Sequence, residues 1–223
     1  MTPAIAKSCG PGRPKDLEKR AAILAAAKQL FPRSGFEGTS MDAIASEAGV
    51  SKLTVYSHFT DKETLFVAAI RERCQEQMPS TLFSIDRSAP VRRQLEAIGH
   101  AFFSLITQPE SIALHRLITA GTPTSHKLAQ LFWDSGPRLL HDDFEKFLRQ
   151  EVEDGQLEIE DVPRAASQFF ALLKGELHAR MLCGCSQPVT PIDTDAHVRA
   201  TVEFFLRAYA ACSERVAMIP ATR

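Results

Sequence analysis

Apolar residues return every three or four positions along most of the chain, and no stretch alternates them convincingly with polar ones. That period predicts helices throughout and an all-α fold. Ile23, Leu24, Ala27, Leu30 and Phe31 make one stripe, predicting a first helix over 16–33 whose last turn Pro32 distorts. Gly35 and Gly38 break the chain after it. Ile44, Ala45 and Ala48 form the apolar face of a short second helix, which Thr39, three residues before Asp42, can cap. Gly49 ends it, because Gly tolerates the left-handed backbone of a sharp turn. Ser51 can cap a third helix over 52–59. Thr60-Asp61-Lys62-Glu63 fits a capping box that opens a longer helix through Leu65, Phe66 and Ile70 to about Met78-Pro79. From Pro90 onward the period predicts helices over 91–107, 110–120, 125–133, 137–153, 163–182 and 195–213, with Pro, Gly and Asp at the joints. The predicted organisation is a basic arm at 1–15, a three-helix unit at 16–62 and a larger helical domain at 63–223.

The third helix is unusual for its size. At 100° per residue Val55 and Phe59 share its buried side, while Leu53, Thr54 and Ser57 lie nearly opposite. Lys52, Tyr56 and His58 flank that outward face. Hydroxyls, an ammonium and a lone Leu suit the donors, acceptors and thymine methyl of a DNA major groove. Thr54 and Ser57 can bond base edges, Leu53 can touch a methyl, and Lys52 can reach guanine or phosphate. Tyr56, His58 and Lys62 are better placed for phosphates, Lys62 in the first turn of its helix. In the arm, Gly12-Arg13-Pro14-Lys15 is either a charged disordered tail or an extended segment whose Arg13 lies in the minor groove.

Charge sharpens this picture. The formal net charge is −1, which argues against nucleic acid until the chain is divided. Residues 1–60 carry 8 Lys and Arg against 5 Asp and Glu, and the remainder 18 against 22. Positive charge therefore gathers at the reading end, as phosphate attraction requires. With 44% hydrophobic and 24% charged residues the composition is that of a folded globular protein. No run reaches the ~18 apolar residues of a membrane span, and MTPAIAKSCGPGRPK lacks a secretory hydrophobic region, so a cytoplasmic location is expected. Five Cys do not suggest a disulfide scaffold, and Cys183-Gly184-Cys185 lacks the further ligands of a zinc site, so no metal and no cofactor are expected.

The run GFEGTSMDAIASEAGVSKLTVYSHFTDKETLF, preceded by EKRAAILAAAKQLF, resembles the helix–turn–helix DNA-binding domain of the TetR/AcrR family of bacterial transcription regulators. The pattern at Gly49–Phe59 carries the resemblance most specifically. By position it implies DNA contacts at Thr39, Ser40, Lys52, Thr54, Tyr56, Ser57, His58 and Lys62. Leu53 stands where many members have Gly, Ala, Pro or a polar residue. The segments LHRLITAGTP, LAQLFWDSGPRLL and FFALLKGELHARML resemble the C-terminal domain of the AefR-like branch.

The predicted helices at 163–182 and 195–213 are apolar on more than one face, so each needs a second partner, in its own domain or another subunit. In the resembled family they pair with those of a second copy, which implies a homodimer interface at Phe169, Leu173, Leu177, Val202, Phe205 and Tyr209. Two reading heads about 34–36 Å apart would match a palindromic operator. The family's C-terminal domain usually encloses a small, often apolar effector, which implies a repressor released from its operator by a small apolar molecule. Bulky or polar residues on otherwise apolar helices are the candidates here: Phe102, Phe103, His115, Trp133, Phe170, Lys174 and His178. Aromatic residues at helical spacing are equally core residues, and that alternative stays open. Arg116 and Glu176, both in apolar surroundings, are candidates to pair. The chain lacks a nucleophile elbow, a P-loop, a dinucleotide fingerprint and a metalloprotease helix, so no catalytic residues and no enzyme activity are expected. The expected function is a ligand-responsive regulator, in this family most often a repressor.

Overall fold

The helical period becomes ten α-helices among the residues that the computed structural model describes, 13–84, 86, 88–120, 125–185 and 191–211. They are α1 (Arg13–Gly38), α2 (Met41–Glu47), α3 (Lys52–His58), α4 (Lys62–Gln77), α5 (Val91–Thr107), α6 (Pro109–Thr119), α7 (Ser125–Ser135), α8 (Pro137–Glu153), α9 (Val162–Cys183) and α10 (Pro191–Tyr209). A 3-10 turn, Ser80–Phe83, follows α4. No β-strand occurs among the described residues, only a single backbone bridge between Leu157 and Ala210. Contacts divide the chain into two units, Met1–Ala69 and Ile70–Arg223.

In the first unit α1 buries Ile23, Leu24, Ala27 and Phe31 against Ile44 and Ala45 of α2, Val55 of α3, Phe59, and Leu65 and Phe66 of α4. Phe31, Phe36 and Phe66 close this core as a triangle of rings 5.2–5.8 Å apart. α1 opens at Arg13, earlier than the expected arm allows, with Pro14 in the first turn, where its missing N–H costs no bond. The Arg13 side chain and residues 1–12 lie outside the described residues, and the minor-groove reading of Arg13 lies there with them. Three residues beyond Pro32 the backbone of α1 leaves helical geometry, at Gly35 (φ 74°, ψ 168°).

In the second unit α5, α8, α9 and α10 share a core in which Phe103, Phe144, Phe147, Phe169, Phe170 and Phe205 are almost fully buried. α5 approaches α10 so closely at Gly99 that a Cβ there would stand 2.8 Å from Val198 Cγ1. α9 starts at Asp161, whose carboxylate accepts from the Arg164 N–H at 3.0 Å. It breaks at Gly175 (φ 48°, ψ −160°), a backbone conformation that disfavours any side chain. A ring nitrogen of His197, on α10, lies 2.8 Å from the Leu173 carbonyl next to the break. Arg116 of α6 donates to the Leu182 and Met181 carbonyls at 2.8 and 2.6 Å, placing a cation at the negative end of α9. The expected Arg116–Glu176 pair is therefore not formed, and Glu176 instead lies 3.5 Å from Arg180 on its own helix.

Candidate functional site

α3 is held by chemistry that leaves one face exposed. Ser51 caps it, its hydroxyl accepting the Thr54 N–H at 3.1 Å, and Val55 and Phe59 anchor the opposite face in the core. Gly49 (φ 65°) makes the turn from α2. Leu53 then stands 80% exposed and Tyr56 44%, with Lys52 and Ser57 beside them. The Ser57 hydroxyl donates back to the Thr54 carbonyl at 2.7 Å, and the half-buried Thr54 shares a hydrogen bond of 2.9 Å with Ser51. Lys52 donates to Asp42 of α2 at 3.0 Å, and that bond raises its pKa above the usual ammonium value. The ammonium is well exposed and keeps its charge, but it must leave Asp42 to reach another anion.

Three of the expected contacts serve the first unit's own architecture. Thr39 is 2% exposed and is not the cap of α2; its hydroxyl donates to the Gly35 carbonyl at 2.7 Å and approaches that of Leu30 at 3.3 Å. The cap is the exposed Ser40, which accepts the Ala43 N–H at 3.0 Å. Lys62 is half-buried, donates to the Phe36 carbonyl at 2.7 Å and lies 4.3 Å above the Phe36 ring. The Thr39 and Lys62 side chains thus both donate to carbonyls around the interruption of α1 at Gly35. His58 turns inward too: its Nε2 is 3.0 Å from Asp16 Oδ1 of α1, off the line of a hydrogen bond, and little of the side chain is exposed. The outward set is thus Ser40, Lys52, Leu53, Tyr56 and Ser57, with Thr54 at its margin.

The second unit encloses a small apolar cavity of about 60 Å³, lined by Ile70, Arg73, Cys74, Phe102, Leu105, Ile106, Ser111, Leu114, His115, Phe132 and Leu140. Of the expected effector residues, Phe102 and His115 line it directly. Phe170 packs behind Phe102 with ring centres 4.5 Å apart, and His178 stands 5.5 Å from the His115 ring. Lys174, half-buried one turn before His178, has its pKa lowered by burial. Burial first, and then the Lys174 charge, lowers the pKa of His115 and His141. His178 is pushed down to about 4 by burial and by its neighbours His115 and Lys174. His141, against Phe170 at 4.8 Å, and Phe132, against His115 at 5.3 Å, were not expected here. Burial also raises the Cys74 thiol to about 11, so it stays protonated.

The other expected residues lie elsewhere. Trp133 is 46% exposed and outside the cavity wall, and Phe103 points away from it, packing on His197 of α10 at 5.2 Å. Among the expected dimer residues, Phe169, Leu173, Val202 and Phe205 are buried within the protomer, and only Leu177 and Tyr209 are half-buried. The large apolar residues that α9 and α10 expose are Leu172 and Phe204, the latter by 61%. Each stands one position, 100° of turn, from a buried neighbour. They line an open groove of about 650 Å³ with Gln168, Ala171, Gly175, Phe205, Ala208 and Tyr209. Cys183 and Cys185 are exposed, and no metal-ligand cluster of His, Cys, Asp or Glu occurs among the described residues. No described helix is long and apolar enough to cross a membrane.

Comparison with known proteins bears on both units. Residues 23–69 match the family described as "Bacterial regulatory proteins, tetR family", and residues 93–211 match "AefR-like transcriptional repressor, C-terminal domain". The chain is 33% identical over 104 residues to the HTH-type transcriptional activator FasR of Mycolicibacterium smegmatis, a match spanning 47% of each protein, so about half of that relative's length is covered. It is 30% identical over 166 residues to the HTH-type transcriptional regulatory protein RaaS of Mycobacterium tuberculosis, covering 73% of this chain and 71% of the relative. Among solved structures, the Flavonoid-responsive Regulator FrrA superposes with a TM-score of 0.68 at 33% identity, covering 86% of this chain and 97% of FrrA.

Proposed function

The chain belongs to the TetR family of bacterial transcriptional regulators, and we propose that it is a ligand-responsive repressor that binds a palindromic operator as a homodimer. The observation that carries the DNA-reading part is the outward face of α3. A seven-residue helix capped by Ser51 and pinned by Val55 exposes Leu53 almost fully, between Lys52, Tyr56 and Ser57. That face gains nothing for the protomer, and its chemistry matches base edges and phosphates. Ser57 and Thr54 read bases, Leu53 meets a thymine methyl, and Lys52, Tyr56 and Ser40 hold the backbone.

The dimer forms through α9 and α10, with Phe204 and Leu172 as its apolar anchors. The effector enters the second unit at the cavity beside Phe102 and His115. Release requires that the effector favour a conformation with lower operator affinity; equal affinity for both would shift nothing.

Selection of bound duplexes from a random library by the full chain tests this reading. An inverted repeat should be enriched, and recovery of no preferred sequence would overturn it. Phe204→Glu should convert the dimer to a monomer by light scattering, and a retained dimer mass would reject this interface.

A further inference from the structure

We infer that the effector is an amphiphilic anion, an apolar body carrying one acidic oxygen group, and that Lys174 and His178 hold that group. The inference rests on the effector-site reading above and names the ligand's chemistry. His178 is 4% exposed, yet its Nε2 has no hydrogen-bond partner. A buried polar atom left unpaired is costly, and few occur in folded proteins. Lys174, one turn earlier across the break at Gly175, is half-buried, and no carboxylate among the described residues pairs with it.

The neighbouring elements deepen the imbalance. His115 of α6 faces His178 at 5.5 Å, and one of its ring nitrogens already bonds the Ser111 carbonyl. His141 of α8 also feels the Lys174 charge. The nearby acids are engaged elsewhere. Asp142 and Glu145 act on His141, with Glu145 bonded to Arg149, while Glu176 pairs with Arg180 and Glu110 with Arg73. An ammonium and an unpartnered imidazole nitrogen thus share this interior with no anion among the described residues to answer them, and an acidic ligand group supplies one, accepting from Lys174 and from His178 in the tautomer that protonates Nε2. The ligand's body has its own place, since Phe102, Leu105, Ile106, Leu114, Phe132 and Leu140 line the adjoining cavity. At about 60 Å³ that cavity is far below the ~300 Å³ of a ligand-filled pocket, so binding parts its walls.

Calorimetry on the full chain with matched acid and amide probes tests this: 2-naphthoate against naphthalene-2-carboxamide, and decanoate against decanamide. The acids should bind about ten- to hundredfold more tightly than the amides, the range for hydrogen bonds to charged groups. Lys174→Met should erase that gap by weakening the acids far more than the amides. Amides that bind as well as acids, or a gap that survives in Lys174→Met, would overturn the acidic assignment and leave the effector site standing. Binding of neither probe type would overturn the effector site and this inference together. A second readout separates ligand binding from packing: without a ligand, Lys174→Met should raise the melting temperature, because it removes an unanswered charge. A lowered melting temperature would assign Lys174 to packing and contradict the proposal.

Discussion

α3 and α9 both carry polar residues on helices pinned by apolar ones, but they turn them in opposite directions. α3 presents Lys52, Tyr56 and Ser57 to solvent, with Lys52 bonded to Asp42 and Ser57 to the Thr54 carbonyl, so none of them is a buried polar group left unpaired. α9 carries Lys174 and His178 inward, where nothing of the protein's own satisfies His178 Nε2. An outward polar face costs the fold little and can be shaped for recognition. An inward one lowers stability, and on the proposed reading an acidic ligand would restore it, which would link binding to stability in the second unit and leave them nearly independent on α3.

The comparison breaks first at Thr39, which looks like α3's exposed hydroxyls in sequence and is buried in the structure. Thr39→Val should cost about 1–3 kcal/mol of stability, because it removes the buried hydroxyl that donates to the Gly35 carbonyl at 2.7 Å. Ser57→Ala should change stability by less than about 0.5 kcal/mol. Chemical denaturation of the two variants decides; equal stabilities would mean that Thr39 belongs with the reading face after all.

Acid sharpens the inward half. His178 is held at about 4 against an ordinary 6.5, so between those values the unfolded chain takes up a proton that the folded chain refuses. Stability is therefore unaffected above pH 6.5 and falls as pH drops toward 4, by up to about 1.4 kcal/mol per unit. Burial shifts His115 and His141 the same way and adds to the slope. Urea titrations at pH 7.5 and 5 should show the loss, and His178→Gln should reduce it. A slope identical in wild type and variant would remove His178 from the account.

The smallest effect is expected at Lys52. Lys52→Ala should leave stability nearly unchanged, since its bond to Asp42 is exposed. It should make the dependence of log affinity on log salt shallower by about one phosphate contact. An unaltered slope would place Lys52 away from the DNA backbone.

The helices were legible because the apolar period is the physics of burial, and the face of α3 because Val55 and Phe59 leave only one way to turn it. Thr39 and Lys62 were not legible, since their partners are the Gly35 and Phe36 carbonyls, whose directions are set by the backbone break at Gly35. In Leu172-Leu173 and Phe204-Phe205 equal hydrophobicity conceals which member is buried, and α9's break at Gly175 shifts its faces further. His141 and Phe132 were missed for a related reason. Polarity or bulk on an apolar helix does not say which cavity a ring will meet, and only the packing of α6, α7 and α8 brings them beside His115 and Phe170.

The central claim, that the exposed face of α3 reads DNA, is tested most directly by fluorescence anisotropy of a selected duplex titrated with wild type and Leu53→Glu. A carboxylate at the most exposed position of the face should repel the phosphates and reduce affinity at least ~100-fold, with melting temperature unchanged. Equal affinity for the duplex would contradict the account.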